Sequence, residues 1–168
     1  MIKTIITFLF ISFILALGRI IPHPPNFTPI LATAIYAPYL IKDKWVAMSL
    51  PLLAMFIADL WIGFHPYMLW VYGAIGLSTL ISNLSMRFDK EYMQLGIMAI
   101  LSSILFFIIT NFAVWTMWDY YPKTIEGLIM CYTMAIPFFH NTLLSTIVYT
   151  SLIVLTVKKG MKYANNYI

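Results

Sequence analysis

The sequence predicts an all-α integral membrane protein, one domain over residues 1–168 with about six transmembrane helices and both termini cytoplasmic. Three observations carry this. First, 62% of the residues are hydrophobic and 10% charged, against roughly 25% charged in a soluble domain, too few to cover a water-facing surface. Second, the apolar residues run on without period-two alternation. Lipid leaves only helices or a closed barrel, because every backbone polar group must be satisfied internally, and barrel strands alternate. Third, Lys and Arg divide unevenly between alternate connections. Lys3, Lys42, Lys44, Arg87, Lys90, Lys158, Lys159 and Lys162 fall on one side; Arg19 and Lys123 fall on the other. Basic residues favour the cytoplasmic side, and both ends lie on the basic side, so the number of spans is even.

The elements follow in order. The first helix, 4–20, ends at Pro22-His23-Pro24-Pro25, which cannot continue a helix. Its start, Met1-Ile2-Lys3 before an apolar run and then Ala16-Leu17-Gly18, resembles a signal peptide; it is read as a retained helix. The second, 28–41, has Pro29 in its first turn. A span needs about 17–25 residues, so this helix must tilt little or be sheltered. Lys42-Asp43-Lys44 turns the chain into the third, 45–64, which His65-Pro66 breaks. The fourth covers 67–86, and Arg87, Asp89, Lys90 and Glu91 form the next polar turn. The fifth covers 92–118, before a polar loop, 119–123. In residues 124–157, Pro137 and His140-Asn141 are expected to separate a short helix ending near 139 from a sixth span, 140–157.

Polar groups inside lipid are costly and tend to be functional. Here they gather at the outer level. The first corner supplies Arg19, His23 and Asn26. The third helix supplies Asp59, Trp61 and His65. Asn111, Trp115 and Trp118 share one face of the fifth helix. The last segment supplies His140 and Asn141, with Asn141, Ser145 and Tyr149 continuing as a stripe. Their convergence predicts a pocket opening outward. Blander roles stand beside this one. Trp61, Trp70, Trp115 and Trp118 suit an interfacial aromatic belt, Asp59 suits a structural ion pair with Arg19, and His23 suits a loop hydrogen bond. Cys131 and the eleven methionines suit packing.

One cysteine excludes an internal disulfide. No phosphate-binding glycine loop, His-Glu-x-x-His zinc motif or Gly-x-Ser-x-Gly elbow occurs, so the expectation is a non-enzyme with no resident cofactor. The net charge of +4 is topological rather than a nucleic-acid footprint.

Arg19-x-x-Pro22-His23-Pro24-Pro25-Asn26-Phe27-Thr28-Pro29, an Ala-rich short helix, a Lys-turn and Ala58-Asp59-x-x-x-Gly63-x-His65 together resemble the substrate-binding S-components of energy-coupling factor (ECF) vitamin transporters. The chain looks most like the small solitary cobalamin-type S-components of Gram-negative bacteria. It also resembles an uncharacterised family of small bacterial membrane proteins with the same Pro-His-Pro-Pro-Asn-Phe-Thr-Pro corner. Weaker echoes occur at Thr110-Asn111-Phe112 and Pro137-Phe138-Phe139-His140-Asn141-Thr142.

The resemblance implies an ECF S-component-like bundle in the bacterial cytoplasmic (inner) membrane. It implies a vitamin site at the outer face under the first corner, with cobalamin as first guess for the transported ligand. It also implies a T-component with two ATPases as partner, gripping small residues of the first helix. That contact is typically Ala-x-x-x-Ala; here the first helix has Ser12-x-x-x-Ala16, and Ala54-x-x-x-Ala58 lies on the third. On this reading Trp61, Trp115 and Trp118 wall in the ligand, His65 or His140 binds it, and Asp59 and Arg19 fix the corner. His65 is the expected ligand to a corrinoid cobalt, imidazole being a normal ligand type. Two rivals are a small accessory subunit packed in a larger membrane complex, and a haem or quinone membrane protein using His65 and His140.

Overall fold

The computed structural model describes residues 2–85 and 91–166, with side chains over 6–85 and 92–158. The turn carrying Arg87, Asp89 and Lys90 lies outside the described residues. Six helices account for nearly everything else: α1 (Ile2–Ile20), α2 (Ile30–Leu40), α3 (Lys44–Ile62), α4 (Met68–Ser85), α5 (Glu91–Met117) and α6 (Ile125–Asn166). The first five match the expected helices to within two residues at their described ends. Their boundaries have local causes. Prolines 22, 24 and 25 stop α1. Asp43 caps α3, its carboxylate accepting from the Trp45 and Val46 amides at 2.8 and 3.1 Å. Gly63 ends α3 at φ 105, a backbone conformation that side chains rarely adopt, while its amide still reaches the Asp59 carbonyl. Beyond α5, Lys123 folds back to donate to the Trp115 and Trp118 carbonyls, capping that helix end.

The last segment differs from expectation. Residues 125–166 form one helix of 42 residues with Pro137 inside it. A proline costs one amide donor, but in apolar surroundings the helix remains the cheapest way to satisfy all the other backbone groups. The Thr133 and Thr142 hydroxyls donate to the Ile129 and Phe138 carbonyls on either side of it. His140-Asn141 does not divide the helix either. His140 is exposed, and Asn141 makes its bond away from the helix.

The helices are arranged as an arc, α1, α3, α4, α5, α6, each packed on the next, with α2 in the middle against α3, α4, α5 and α6. Nine of the eleven residues of α2 are buried, which is the shelter its length demands. It feeds three core clusters. Ile30 and Ala34 meet Ala54, Met55, Val71 and Ile75. Ile35 and Tyr36 meet Leu95, Met98, Ala99 and Val154. Ala37 meets Ala47 and Leu50, with Phe8 and Leu15 packed on them. Close approach depends on small side chains: Ala16, Ala32, Ala34, Ala47, Ala54, Ala58 and Ala74 are all fully buried. Ser82 donates across the interface to the Ile35 carbonyl at 2.6 Å.

Large apolar side chains such as Phe10, Phe13, Leu60, Leu69, Ile104, Leu144 and Leu152 cover the outside. Four helices are long and apolar enough to cross a membrane: Lys44–Ile62, Met68–Ser85, and the Tyr92–Met117 and Ile125–Lys158 stretches; the shorter apolar helices are Ile6–Ile20 and Ile30–Leu40. This is the pattern of a multi-pass membrane protein. Because Ala34 is fully buried between α2 and its neighbours, Ala34→Leu should overpack the centre and cost about 1–3 kcal/mol. A lowered thermal unfolding midpoint in detergent, with the lipid-facing Leu144→Ala nearly neutral, would show it.

Candidate ligand-binding site

The site begins with the length of α2. Eleven residues rise only about 16 Å, whereas the neighbouring helices run on for 18 residues or more. The space beyond its N-terminal end is therefore not filled by helix. Residues 21–29 cross it as an irregular corner, and a cavity of about 360 Å³ remains. Ile30, Leu31, Met55, Ile62, Val71, Ile75 and Phe106 supply its apolar lining. Arg19, His23, Asn26, Thr28, His65, Tyr67, Thr142 and Ser145 supply its polar lining. A second lobe of about 330 Å³ adjoins it between α5 and α6. Asn26, Tyr67, Val71, Phe106 and Thr142 line both lobes. Asn111, Cys131, Phe138 and Phe139 line the second alone.

An ion pair anchors the first lobe. Asp59 is 0% exposed, and its Oδ1 lies 2.8 Å from an Arg19 terminal nitrogen, whose side chain is 18% exposed. The contact is an ion pair without a well-aligned hydrogen bond; the same nitrogen lies 2.8 Å from Met55 Sδ. Tyr72 donates to Asp59 Oδ2 at 2.8 Å. The end of α1 is thus tied through α3 to α4.

The corner is held by two devices. His23 places Nε2 3.0 Å from the Arg19 carbonyl and Nδ1 2.7 Å from the Pro24 carbonyl. Asn26 turns the chain at φ 63, a left-handed conformation that asparagine tolerates better than most residues. The second device is the stripe on α6. Asn141 donates to the Pro25 carbonyl at 3.0 Å, Ser145 to the Asn26 carbonyl at 3.3 Å, and the Tyr149 ring packs on Phe27 at 5.8 Å. Three residues at one-turn intervals therefore grip three consecutive corner residues.

The expected site residues separate accordingly. Arg19, His23, Asn26 and His65 line the first lobe, and Asn111 lines the second. Asp59 lies behind Arg19, and Asn141 pins the corner without lining either lobe. Trp61, expected as a wall, is 80% exposed on the outside of α3. Trp115 donates to the Pro122 carbonyl at 2.9 Å. Trp118 stacks on Tyr120 and meets Tyr67 edge-on at 6.4 Å, so it backs a lining residue. His140 is exposed. Ser12 and Ala16, the small pair on α1, are fully buried, and α3 is the helix on which α1 mainly packs.

Tyr67 and Phe106 are lining residues that sequence reasoning missed. Tyr67 directly follows the His65-Pro66 break, which is a usable signal; Phe106 sits in an unbroken apolar run and offers none. His65 packs on Tyr67 with ring centroids 4.1 Å apart and planes tilted by 35°, and its Nδ1 is buried with no hydrogen-bond partner among the described residues. Burial pushes the His65 pKa below its ordinary value; Asp59 opposes this and Arg19 adds to it. No group of three or more His, Cys, Asp or Glu residues that could hold a metal ion occurs among the described residues.

Fold and site together define a class: an all-helical, multi-pass membrane protein with a two-lobed cavity under a proline-rich corner. The chain belongs to the family of unknown function DUF6580, whose model matches residues 1–163. No curated protein and no solved structure matches it significantly.

Two expectations follow. Removing one partner of the ion pair strands the other, at a cost of about 3–5 kcal/mol. Arg19→Ala should therefore be strongly destabilising, and Arg19→Met combined with Asp59→Asn much less so, since the new side-chain amide could still accept from Tyr72; a double-mutant cycle of thermal midpoints reads this. His65 gives the second. Its folded pKa lies below its unfolded one, so its contribution to stability is complete above about pH 6.5 and is lost as the pH falls through the lower, folded value. His65→Gln should flatten the stability loss between pH 7 and pH 5, as read from unfolding midpoints across that range.

Proposed function

We propose that this protein is a substrate-binding membrane component for uptake of a vitamin-sized small molecule. It binds rather than catalyses, and its site opens to the outer face of the bacterial inner membrane. The carrying observation is the cavity itself, a mainly apolar space with a few converging polar groups, the usual form of a small-molecule site. In this reading all six helices cross the bilayer, α2 doing so inside its ring of neighbours, and both termini are cytoplasmic. The cavity lies at the end of the bundle bearing Arg19 and Lys123, away from the Lys42, Lys44 and Lys158 end, and the positive-inside rule makes that end external.

The volume favours a ligand smaller than cobalamin. The first lobe, about 360 Å³, is near the lower end for drug-sized ligands, and with the adjoining lobe of about 330 Å³ the space stays within that range, whereas a corrinoid with its nucleotide tail is larger than a drug-sized ligand. His65 lines the cavity, and with a ligand of that size it serves as a contact rather than as a cobalt ligand. A T-component with two ATPases remains the proposed partner. It would have to grip a face other than Ser12 and Ala16, which are buried within the chain.

The accessory-subunit reading has one observation of its own. A groove of about 310 Å³ between α5 and α6 is lined by small and apolar residues, among them Leu95, Gly96, Ala99 and Val154. A second transmembrane helix could fill it.

The test is to purify the protein gently and identify retained small molecules by mass spectrometry. Thermal stabilisation by a panel of water-soluble vitamins that includes hydroxocobalamin would follow. A retained or stabilising vitamin whose effect is lost in Val71→Trp, which fills the cavity, is the expected result. No retained molecule and no stabilisation at millimolar concentration would overturn the transport reading in favour of the subunit.

A further inference from the structure

We propose that the ligand of the cavity is a compact monoanion whose carboxylate is bound by Arg19, with its apolar body lying against Ile30, Val71, Ile75 and Phe106. This rests on the small-molecule reading above and names its chemical class.

Charge gives the first argument. Arg19 is the only lining residue with a permanent charge, and no Asp or Glu lines either lobe among the described residues. A cationic ligand would find no counter-charge there, and leaving a charge unpaired in an apolar cavity is costly. Geometry gives the second. A guanidinium carries five N–H donors in a planar fork that matches the two oxygens of a carboxylate. Among the described residues only one Arg19 nitrogen is engaged, by Asp59 and Met55. The Nε and the other terminal nitrogen are left for a ligand, and the Asp59 contact already holds the group in place. Lysine presents a point charge and lacks this fork.

His65 gives the third argument. Its ring belongs to the same lining as Arg19, so a ligand held by Arg19 lies against it. The start of α2, which has no side-chain cap, adds partial positive charge at the same end. The Asp59 pairing also selects the ligand's charge. One negative charge already offsets Arg19, so a carboxylate brings the trio to a net charge of −1, with His65 and the helix end to stabilise it. A phosphate dianion would leave nearly twice that charge in a mainly apolar space. The volume of the first lobe and its Ile, Val and Phe lining suit a ligand whose remainder is compact and apolar.

The experiment uses the full chain in lipid nanodiscs. Three acids are each compared with their own neutral amide by calorimetry: nicotinate with nicotinamide, lipoate with lipoamide, and biotin with biotinamide. At least one acid should bind ten times or more tighter than its amide. Arg19→Lys, which keeps a cation beside Asp59 but lacks the planar fork, should bring the ratio of acid to amide affinity toward one. His65→Gln should weaken the acid less than Arg19→Lys does. Equal or tighter binding of every amide would overturn the proposal, and this comparison needs no variant. A retained ligand without a carboxylate would also overturn it, while leaving the small-molecule reading intact. Absence of any ligand, retained or added, would overturn both.

Discussion

An eleven-residue helix cannot cross lipid unaided, and most of this structure is a consequence of having one at its centre. The rise of α2, about 16 Å, is roughly half of a hydrocarbon core. Its ends would leave backbone polar groups in hydrocarbon unless protein surrounded them. Four helices do so, and the alanines of α2, α3 and α4 allow their backbones to come close enough. The same shortness leaves an unfilled volume beyond Ile30. The neighbouring helices continue past that point, so the volume becomes a cavity with walls and a floor. The proposed function occupies the space that a full-length helix would have filled.

The cavity needs a cover that does not drift into lipid or collapse onto the floor. Local chemistry and distant contacts share this task. Prolines keep the corner out of helical conformations, the His23 ring sits between the Arg19 carbonyl at the end of α1 and the Pro24 carbonyl, and Asn26 turns the chain through the left-handed region. The stripe on α6 then fixes its position from across the bundle. A continuous α6 serves this well. A break at Pro137 would leave the spacing of Asn141, Ser145 and Tyr149 unchanged but would free their half of the helix to turn relative to the N-terminal half, which lines the second lobe.

Arg19 and Asp59 join the two ends of this arrangement. A carboxylate with no solvent contact is tolerable only beside a cation and with its oxygens engaged, and Arg19 and Tyr72 meet those conditions. The pair fixes the last turn of α1, from which the corner starts, against α3 and α4. Arg19 also faces the cavity, so the residue that stabilises the fold is the one best placed to recognise a ligand. Structural and functional readings of this pair are therefore compatible.

The sequence by itself determined the helical character, the positions of α1 to α5, the need to shelter α2, and the gathering of Arg19, His23, Asn26 and His65 at one level. Each depends on short-range causes: apolar run length, proline and glycine punctuation, and the preference of charge for the membrane surface. The tertiary structure decided the rest. Trp61 and Trp118 sit at the same level as His65, but level does not tell which side of a helix faces inward; packing turned Trp61 outward and put Trp118 behind Tyr67. The Asn141, Ser145 and Tyr149 stripe was visible as a periodicity, but its partner, more than a hundred residues away, was not. Nor could Pro137 show whether α6 breaks, because one missing hydrogen bond is weighed against the packing of both halves. Phe106, a phenylalanine in an unbroken apolar run, packs on the cluster of Ile30, Ala34, Val71 and Ile75 and lines the cavity beside it, and no local signal encodes which face of α5 meets that cluster.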